Sequence, residues 1–200
     1  MSAECPKCEL DLLYKEDGTF FCPVCECESC AALRARIAAL EKVAEKNKLG
    51  VDSDSQVFFY ERDFYCFSNF SAFRLVWDGL LFDTSEAAYH WEKFPHNQVV
   101  QNAIRCAPSA HAALKIAENY RTEMRDNWLD IRVDVMRKIL LAKVSQHEYV
   151  RRKLIQTGNR ELIEDSWRDA FWGWGSKRDG KNMLGKLWME VRAALKEVGK

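Results

Sequence analysis

The sequence lacks any apolar run that approaches the ~20 residues needed to cross a bilayer, and this absence argues against a membrane-spanning helix. The N-terminal stretch MSAECPKCEL has neither the charged nor the apolar region of a secretory signal peptide. We therefore expect a cytoplasmic protein that has no membrane partner.

The chain also has no net charge, because Lys+Arg and Asp+Glu both number 30. A neutral protein has no overall field that would draw it onto nucleic acid or an anionic membrane, so any contact with nucleic acid must be local. Hydrophobic residues make up 48% of the chain, which is typical of a soluble globular protein. The 200 residues suffice for one domain of about 100–150 residues with an appendage.

The cysteines are unevenly placed, since six of the eight lie within residues 5–30. They include two C-P-x-C pairs, Cys5 with Cys8 and Cys22 with Cys25, a layout in which two tight turns present four thiolates to zinc. Four thiolates leave no open coordination position, so the zinc would be structural. Residues 1–30 are therefore predicted to form a zinc-ribbon-like module.

Two alternatives to this ligand set remain open. The cysteines could form disulfides, although a reducing cytosol disfavours them. Cys27 and Cys30 form a further C-x-x-C pair and could replace Cys22 and Cys25 as ligands, but they lack the proline of the other pairs. We favour the two C-P-x-C pairs.

Residues 31–56 are predicted to be a short amphipathic helix followed by a linker. A stripe of apolar residues repeats at helical spacing: Leu33, Ile37, Leu40 and Ala44. The seam over residues 30–46 could pair two copies of the chain, but barely two heptads rarely dimerise alone, and the helix could instead dock on its own domain. The segment KNKLGVDSDSQ is polar and without period, as in a linker.

Residues 57–200 are predicted to form the main domain, an α+β fold that is mostly α. VFFYERDFYCFSNF looks extended, and FRLVWDGLLFDT resembles two strands around the turn Asp78-Gly79. Helices should follow for the remainder of the chain. Their predicted signals are a cap at Asp83 or Thr84, a cap at Ser109, a stripe from Ile131 to Val144, a capping box from Ser145 to Glu148, and a cap at Asn182.

The first of these helices, ending at Phe94, carries polar residues at i, i+3, i+4 and i+7. They are Glu86, Tyr89, His90 and Lys93, and helical geometry places them on one face. A face with a carboxylate, a phenol, an imidazole and an amine is either a solvated surface or the wall of a site.

A second chemical signal is the segment Asp169-Ala-Phe-Trp-Gly-Trp-Gly. Gly173 and Gly175 allow close approach of a ligand and positive φ, and the tryptophans could stack on a planar ring. The amides that begin the helix after Asn182 could meet a phosphate. The alternative is a structured turn whose tryptophans fill the core.

Four segments resemble motifs of the NADAR superfamily, also called YbiA-like. TSEAAYHWEKF is similar to the signature T-S-E-x-x-Y-x-x-x-K-F, and DAFWGWGSKRDGKNMLGKLWMEVR to D-x-(F/Y)-W-G-x-G…G-K-N-x-L-G-x-x-x-M-x-x-R. YCFSNFSAF and RDNWLDIRVDVM match the S-N-F and N-W…V-M elements in the same order. The resemblance covers residues 57 to about 196 and leaves the N-terminal 50 residues outside.

The resemblance implies a hydrolase, an N-glycosidase. Known members hydrolyse the base–ribose bond of early riboflavin-pathway intermediates, or remove ADP-ribose from modified guanine. By matching positions it marks functional residues and a signature lysine: Glu86, Trp128, Asp169 and Trp172, with Lys93. Ala87 and His90 replace the common His and Gln of this helix, and Trp188 replaces a usual Leu, so a shifted substrate preference is expected.

Breaking a ribosyl N-glycosidic bond builds positive charge on C1′ and leaves electrons on the departing base. Glu86 lies near a helix start, which favours its ionised form, so it suits the task of stabilising the cation or of activating water. Asp169 could protonate the base or hold a ribose hydroxyl. The choice between these two roles, and the division of roles between Glu86 and Asp169, stay open. Lys93 could trap a ring-opened ribose as a Schiff base, or could contact a phosphate or pair with Glu86.

Trp128 and Trp172 are expected to sandwich or abut the base. The remaining predicted substrate-binding residues are Tyr89, Gly173, Gly175, Asn182, Arg121 and Arg125. No metal signature occurs in this domain, so catalysis should need no cofactor. A ribbon suits recruitment to nucleic acid, which favours ADP-ribosyl-guanine over small ribosyl-phosphate substrates. Ribbons also bind proteins, so a protein partner stays open. The third hypothesis is a non-catalytic ADP-ribose or nucleotide sensor.

Overall fold

Strand and helix bounds come from a computed structural model, which describes residues 13–14, 20–21, 35, 38, 50–60 and 63–198. The chain divides into two compact units, Met1–Lys48 and Leu49–Lys200. In the first, β1 (Leu13–Tyr14) pairs antiparallel with β2 (Phe20–Phe21). The zinc ligands predicted at Cys5, Cys8, Cys22 and Cys25 lie outside the described residues, as does the helix predicted over residues 30–46 apart from Ala35 and Ala38, which are helical.

The second unit contains two small pairs of strands. β4 (Leu75–Trp77) and β5 (Leu80–Phe82) form the predicted hairpin, and its turn residues Asp78 and Gly79 have φ values of 49° and 73°. Positive φ at both central residues matches the twist of the strands, which explains the Asp-Gly sequence. β3 (Gln56–Phe58) pairs in parallel with β6 (Glu161–Ile163).

Two of the sequence predictions for strands needed correction. Only the first residues of the stretch predicted to be extended are a strand, because it turns into a short 3-10 helix at Tyr65–Phe67. Strand β6 and its parallel pairing with β3 were not predicted. The partners Val57 and Leu162 are too far apart in sequence for a local pattern to reveal their pairing.

Helices make up most of the second unit, and local capping explains where two of them begin. The Thr84 Oγ1 accepts a hydrogen bond from the Ala87 N–H (3.2 Å), and the Ser109 Oγ accepts one from the Ala112 N–H (3.1 Å). Both caps satisfy amides that a helix start leaves unpaired. The helices are α1 (Ser85–Trp91), α2 (Gln98–Arg105), α3 (Ala110–Asn119), α4 (Trp128–Gln146), α5 (Glu148–Gln156) and α6 (Met183–Val198).

Three predictions about helices were inaccurate. Helix α2 was not predicted, although its N-cap, Asn97, accepts a bond from the Val100 N–H (3.1 Å). The capping box at Ser145 is wrong, because Ser145 lies inside α4 and its hydroxyl donates to the Ala142 carbonyl (2.9 Å). Asn182 directly precedes α6, as predicted, but its side chain bonds to the backbone of β6 and of the residue after it rather than to the amides of the helix start.

The core lies where the apolar faces of the helices meet the β4–β5 hairpin and the 3-10 turn. Trp188 of α6 is fully buried, its indole N–H donates to the Phe67 carbonyl (2.8 Å), and the two ring centroids lie 5.1 Å apart. Helix α4 contributes Met136, Ile139, Leu140 and Val144, as the predicted stripe required. Within the described ranges, none of the helices combines the length and apolar character that a membrane span requires.

Lys143 of α4 is a fully buried amine within this core. Its Nζ donates to the Ser68 carbonyl (3.0 Å) and to the Ser71 Oγ (2.8 Å). These bonds brace the loop whose Asn69 carbonyl accepts the Glu86 N–H (3.0 Å) at the start of α1. Burial lowers the pKa of Lys143 from 10.5 to about 7.

Lys143→Met is expected to flatten the pH dependence of stability between pH 7 and 9. The unfolded chain keeps the Lys143 proton up to a pKa near 10.5, whereas the folded chain releases it near 7. Stability therefore rises with pH across this window in the wild type, because the unfolded state binds more protons. Urea unfolding at pH 7 and pH 9 should show a larger gain for the wild type than for the variant. Equal gains would contradict the assignment, and Lys186→Met, at an exposed position, is the control.

Candidate active site

Glu86 stands in the first turn of α1, with its side chain directed into the protein. The Glu86 Oε1 and the His90 Nε2 are 2.8 Å apart, and their side chains are only 12% and 3% exposed. Such burial is not that of a solvated helix face. The structure therefore brings the predicted Glu86 face into an enclosed environment.

Aromatic rings surround this face of α1. The Tyr89 centroid lies 4.9 Å from that of Trp128, in the first turn of α4, and 5.5 Å from that of Trp172. Trp128 and Tyr89 are buried, while Trp172 is half-buried. Burial raises the pKa of Tyr89, and the charge of Glu86 raises it further. Trp128 and Trp172, the two tryptophans predicted to hold the base, thus both pack against the Tyr89 ring.

Lys93 lies two residues beyond the C-terminal end of α1, because the helix ends at Trp91 and not at Phe94 as predicted. Its Nζ is 5.2 Å from the centroid of the Tyr89 ring and 5.6 Å from that of Trp128. Burial lowers the pKa of Lys93 to about 8, although the charges of Glu86 and Glu118 oppose the shift. A substantial share of this amine is therefore uncharged at neutral to mildly alkaline pH, which is the form that acts as a nucleophile.

Asp169 begins the glycine-rich segment and shapes its turn. Its Oδ1 accepts the backbone N–H groups of Phe171 (2.7 Å) and Trp172 (2.8 Å), which holds the Trp172 ring toward Tyr89. The negative charge of Asp169 also raises the pKa of Tyr89, so the carboxylate belongs to the same cluster.

Gly173, Gly175 and Asn182 approach the chain itself in this structure. A Cβ on Gly173 would lie 2.9 Å from the Glu164 carbonyl oxygen, and Gly175 has a φ of 70°. The Asn182 Oδ1 accepts the Glu164 N–H (3.0 Å) and its Nδ2 donates to the Leu162 carbonyl (2.9 Å). These residues were predicted to allow the close approach of a ligand. In the structure they instead lie close to other backbone segments of the protein, and these contacts support the site.

The two arginines predicted as phosphate partners occupy different environments. Arg121 is exposed on the short 3-10 helix Arg121–Glu123. The Arg125 N–H donates to the Lys93 carbonyl (2.9 Å), and its guanidinium lies 3.8 Å from the Glu92 carboxylate. Arg125 therefore braces the C-terminal end of α1.

Arg132 is a site residue that the sequence predictions missed. Its guanidinium carbon lies 3.6 Å from the Phe171 ring centroid, and its charge lowers the pKa values of both Tyr89 and Lys93. Within the described part of the chain, its buried Nε has no hydrogen-bond partner. The signal available in the sequence was helical spacing, because Arg132 follows Trp128 by four residues and shares its face.

Glu164, the residue directly after β6, was also missed. It is 7% exposed, and its Oε2 is buried with no hydrogen-bond partner among the residues that the structure describes. Burial raises the pKa of Glu164 well above its usual range, and the charges of Glu86, Asp169 and Asp165 add to the rise. Three carboxyl groups, Glu86, Glu164 and Asp169, therefore influence one another, a relation that only the tertiary structure reveals.

A buried carboxylate, an amine of lowered pKa and closely packed aromatic rings on an α+β scaffold are typical of an enzyme site. The model of the NADAR domain matches residues 58–196. The chain is 37% identical over 147 residues to the N-glycosidase YbiA of Shigella boydii, an alignment that covers 72% of this chain and 91% of the relative. It is 30% identical over 146 residues to an N-glycosidase of Nostoc punctiforme, covering 71% and 94%.

A solved structure and a longer relative extend the comparison. The NMR structure of Escherichia coli YbiA superimposes with a TM-score of 0.68 and 35% identity, covering 76% of this chain and 90% of that one. A riboflavin biosynthesis protein of Vibrio vulnificus is 35% identical over 146 residues, which are 72% of this chain but 40% of the relative.

The chain belongs to the NADAR domain family. It is a hydrolase that acts on N-glycosyl bonds. The family and the mostly helical α+β fold expected from the sequence motifs are confirmed. The N-terminal zinc ribbon stays a prediction, because its cysteines lie among residues whose structure is not described.

Proposed function

We propose that this hydrolase cleaves the base–ribose bond of ADP-ribosylated guanine and so removes ADP-ribose from nucleic acid. The observation that carries the reaction is one cluster of side chains around the Tyr89 ring: Glu86, Lys93, Trp128 and Trp172. It offers a carboxylate for a developing cation, an amine for an aldehyde and rings for a planar base.

Glu86 would face the ribose C1′ or activate the water that attacks it. Its contact with His90 fixes the carboxylate, so that little reorganisation is needed when positive charge develops on the sugar. Trp172, which is half-buried, is the ring available to the departing base, and Asp169 orients it through two backbone bonds. In this arrangement Asp169 contributes to substrate binding indirectly, by orienting the Trp172 ring.

The choice of guanine-linked ADP-ribose over a free nucleotide is supported by the N-terminal module. The proposed zinc site at Cys5, Cys8, Cys22 and Cys25 would give the hydrolase a separate contact with nucleic acid or with a protein. Residues 30–46 are the proposed seam for a homodimer. The proposed reaction uses only side chains and water.

A small ribosyl-phosphate substrate is the second candidate, and one observation favours it. The buried, unpartnered Nε of Arg132 beside Lys93 suits an anion such as a 5′-phosphate. The Vibrio vulnificus relative is named a riboflavin biosynthesis protein. A non-catalytic ADP-ribose sensor is the third candidate.

The discriminating experiment is mass-spectrometric product analysis with two substrates, guanine-ADP-ribosylated DNA and a 5-amino-pyrimidine ribosyl phosphate. We expect the wild type to release ADP-ribose from the DNA, and Glu86→Ala to release none. Cleavage of the pyrimidine alone would replace the first candidate with the second. Inertness toward both, with tight binding of ADP-ribose, would support the sensor.

Borohydride added during turnover is expected to fix a covalent ribosyl adduct on Lys93. The unprotonated amine attacks the aldehyde of the opened ribose, water leaves, and hydride reduces the resulting imine. Because the pKa of Lys93 is lowered to about 8, trapping should increase as pH rises through that value. Peptide mass spectrometry locates the adduct, and Lys93→Arg is the control. Turnover without an adduct on Lys93 would show that this amine does not trap the opened ribose.

A further inference from the structure

The three carboxyl groups of the candidate site differ in the hydrogen bonds they receive. The Glu86 Oε1 contacts the His90 Nε2 (2.8 Å), and the Asp169 Oδ1 accepts two backbone N–H groups. These two bonds commit the Asp169 Oδ1 to shaping its own turn. The Glu164 Oε2 is buried and receives no such bond from any residue in the described ranges.

The backbone holds Glu164 in place on both sides. Its N–H donates to the Asn182 Oδ1 (3.0 Å), and its carbonyl accepts the Trp174 N–H (2.9 Å). These contacts tie Glu164 to the segment that carries Asp169 and Trp172. A carboxyl group anchored in this way keeps its position when its side chain gains or loses a proton.

The charged groups that face Glu164 come from each element around it. Glu86 faces it from α1, Asp165 and Asp169 from the loop after β6, and Lys143 from α4. Burial and the three carboxylates favour the protonated form of Glu164, and Lys143 alone opposes them. Glu164 is therefore the carboxyl group of the cluster whose surroundings favour the protonated form.

We propose that Glu164, and not Asp169, is the general acid that protonates the departing base. This inference rests on the proposed hydrolysis. The C1′–N bond breaks, its electron pair moves to the base nitrogen, and that nitrogen takes the Glu164 proton. Glu86 takes a proton from the water that adds to C1′, and transfer of this proton through solvent to Glu164 restores both groups.

The test compares two kinds of leaving group in Glu164→Gln. We expect kcat to fall about 10²–10⁴-fold with a substrate whose base must be protonated, the range typical of a lost general acid. A ribosyl pyridinium phosphate releases a neutral base without a proton, so its cleavage should change less than about threefold, on the order of 0.7 kcal/mol. Glu161→Gln, at an exposed position three residues earlier in β6, is the matched control.

Equal losses with both substrates would show that Glu164 is structural, and full activity of Glu164→Gln would overturn the proposal outright. If the wild type does not cleave the pyridinium, the pH profile with the other substrate decides. The alkaline decline of the wild type, where Glu164 loses its proton, should then be absent from the residual activity of Glu164→Gln, and its persistence would reject the role. A wild type inert toward every ribosyl substrate would instead refute the proposed function.

Discussion

Glu86→Gln is expected to lower kcat about 10²–10⁴-fold, the contribution typical of a positioned acid or base. The substitution keeps the volume of the side chain and its ability to contact His90, but it removes the negative charge. Glu86 is the carboxylate at the start of α1, 12% exposed beside Tyr89 and Lys93. In the proposed reaction, loss of that charge removes both the stabilisation of a ribosyl cation and the base that activates water.

Steady-state kinetics on the substrate identified by product analysis would measure this loss. The KM should change little, because the charge acts on the transition state rather than on the bound substrate. Glu148→Gln, at an exposed position in the first turn of α5, is the matched control and should be fully active. A Glu86→Gln enzyme within about threefold of the wild type would remove Glu86 from the mechanism.

Trp188→Ala is expected to lower the free energy of unfolding by about 3–5 kcal/mol, the usual effect of truncating a buried aromatic residue. Trp188 is fully buried, and its indole N–H donates to the Phe67 carbonyl (2.8 Å). The substitution leaves a cavity beside the Phe67 ring and also leaves this buried carbonyl without its donor, which adds to the cost.

Urea denaturation would show the effect as a lower midpoint with an unchanged slope. Trp167→Ala is the control, because Trp167 is 39% exposed and its main contact is the guanidinium of Arg168, at 4.5 Å. We expect this control to stay within about 0.5 kcal/mol of the wild type. Trp188→Leu should fall between the two, since it keeps apolar volume but not the indole N–H. Similar stabilities for both alanine variants would contradict the central position of Trp188.

Local chemistry explains which parts of the fold were predictable. The starts of α1 and α3 depend on Thr84 and Ser109, whose hydroxyl groups cap amides three residues later. The β4–β5 hairpin depends on Asp78-Gly79, which tolerates positive φ. In each case the interacting groups are neighbours in sequence, so the pattern alone indicated the structure.

The Ser145 capping box shows where local patterns mislead. The same residues are compatible with a cap and with the last turn of a long helix, and packing of α4 in the core decided for the helix. The parallel pairing of β3 with β6 joins Val57 to Leu162, and no periodicity within either strand specifies its partner. Such pairings depend on the burial that the whole chain achieves.

The sequence by itself determined the family, the helical face that carries Glu86 and Tyr89, and the separate cysteine-rich N-terminal segment, because motif spacing and helical geometry are local properties. Tertiary structure alone decided that Tyr89 packs against both Trp128 and Trp172, and that the Arg132 Nε and the Glu164 Oε2 are buried without a hydrogen-bond partner among the described residues. Burial also sets the pKa directions of Lys93 and Glu164. The physical reason is desolvation, which depends on how completely distant parts of the chain exclude water from a charged group.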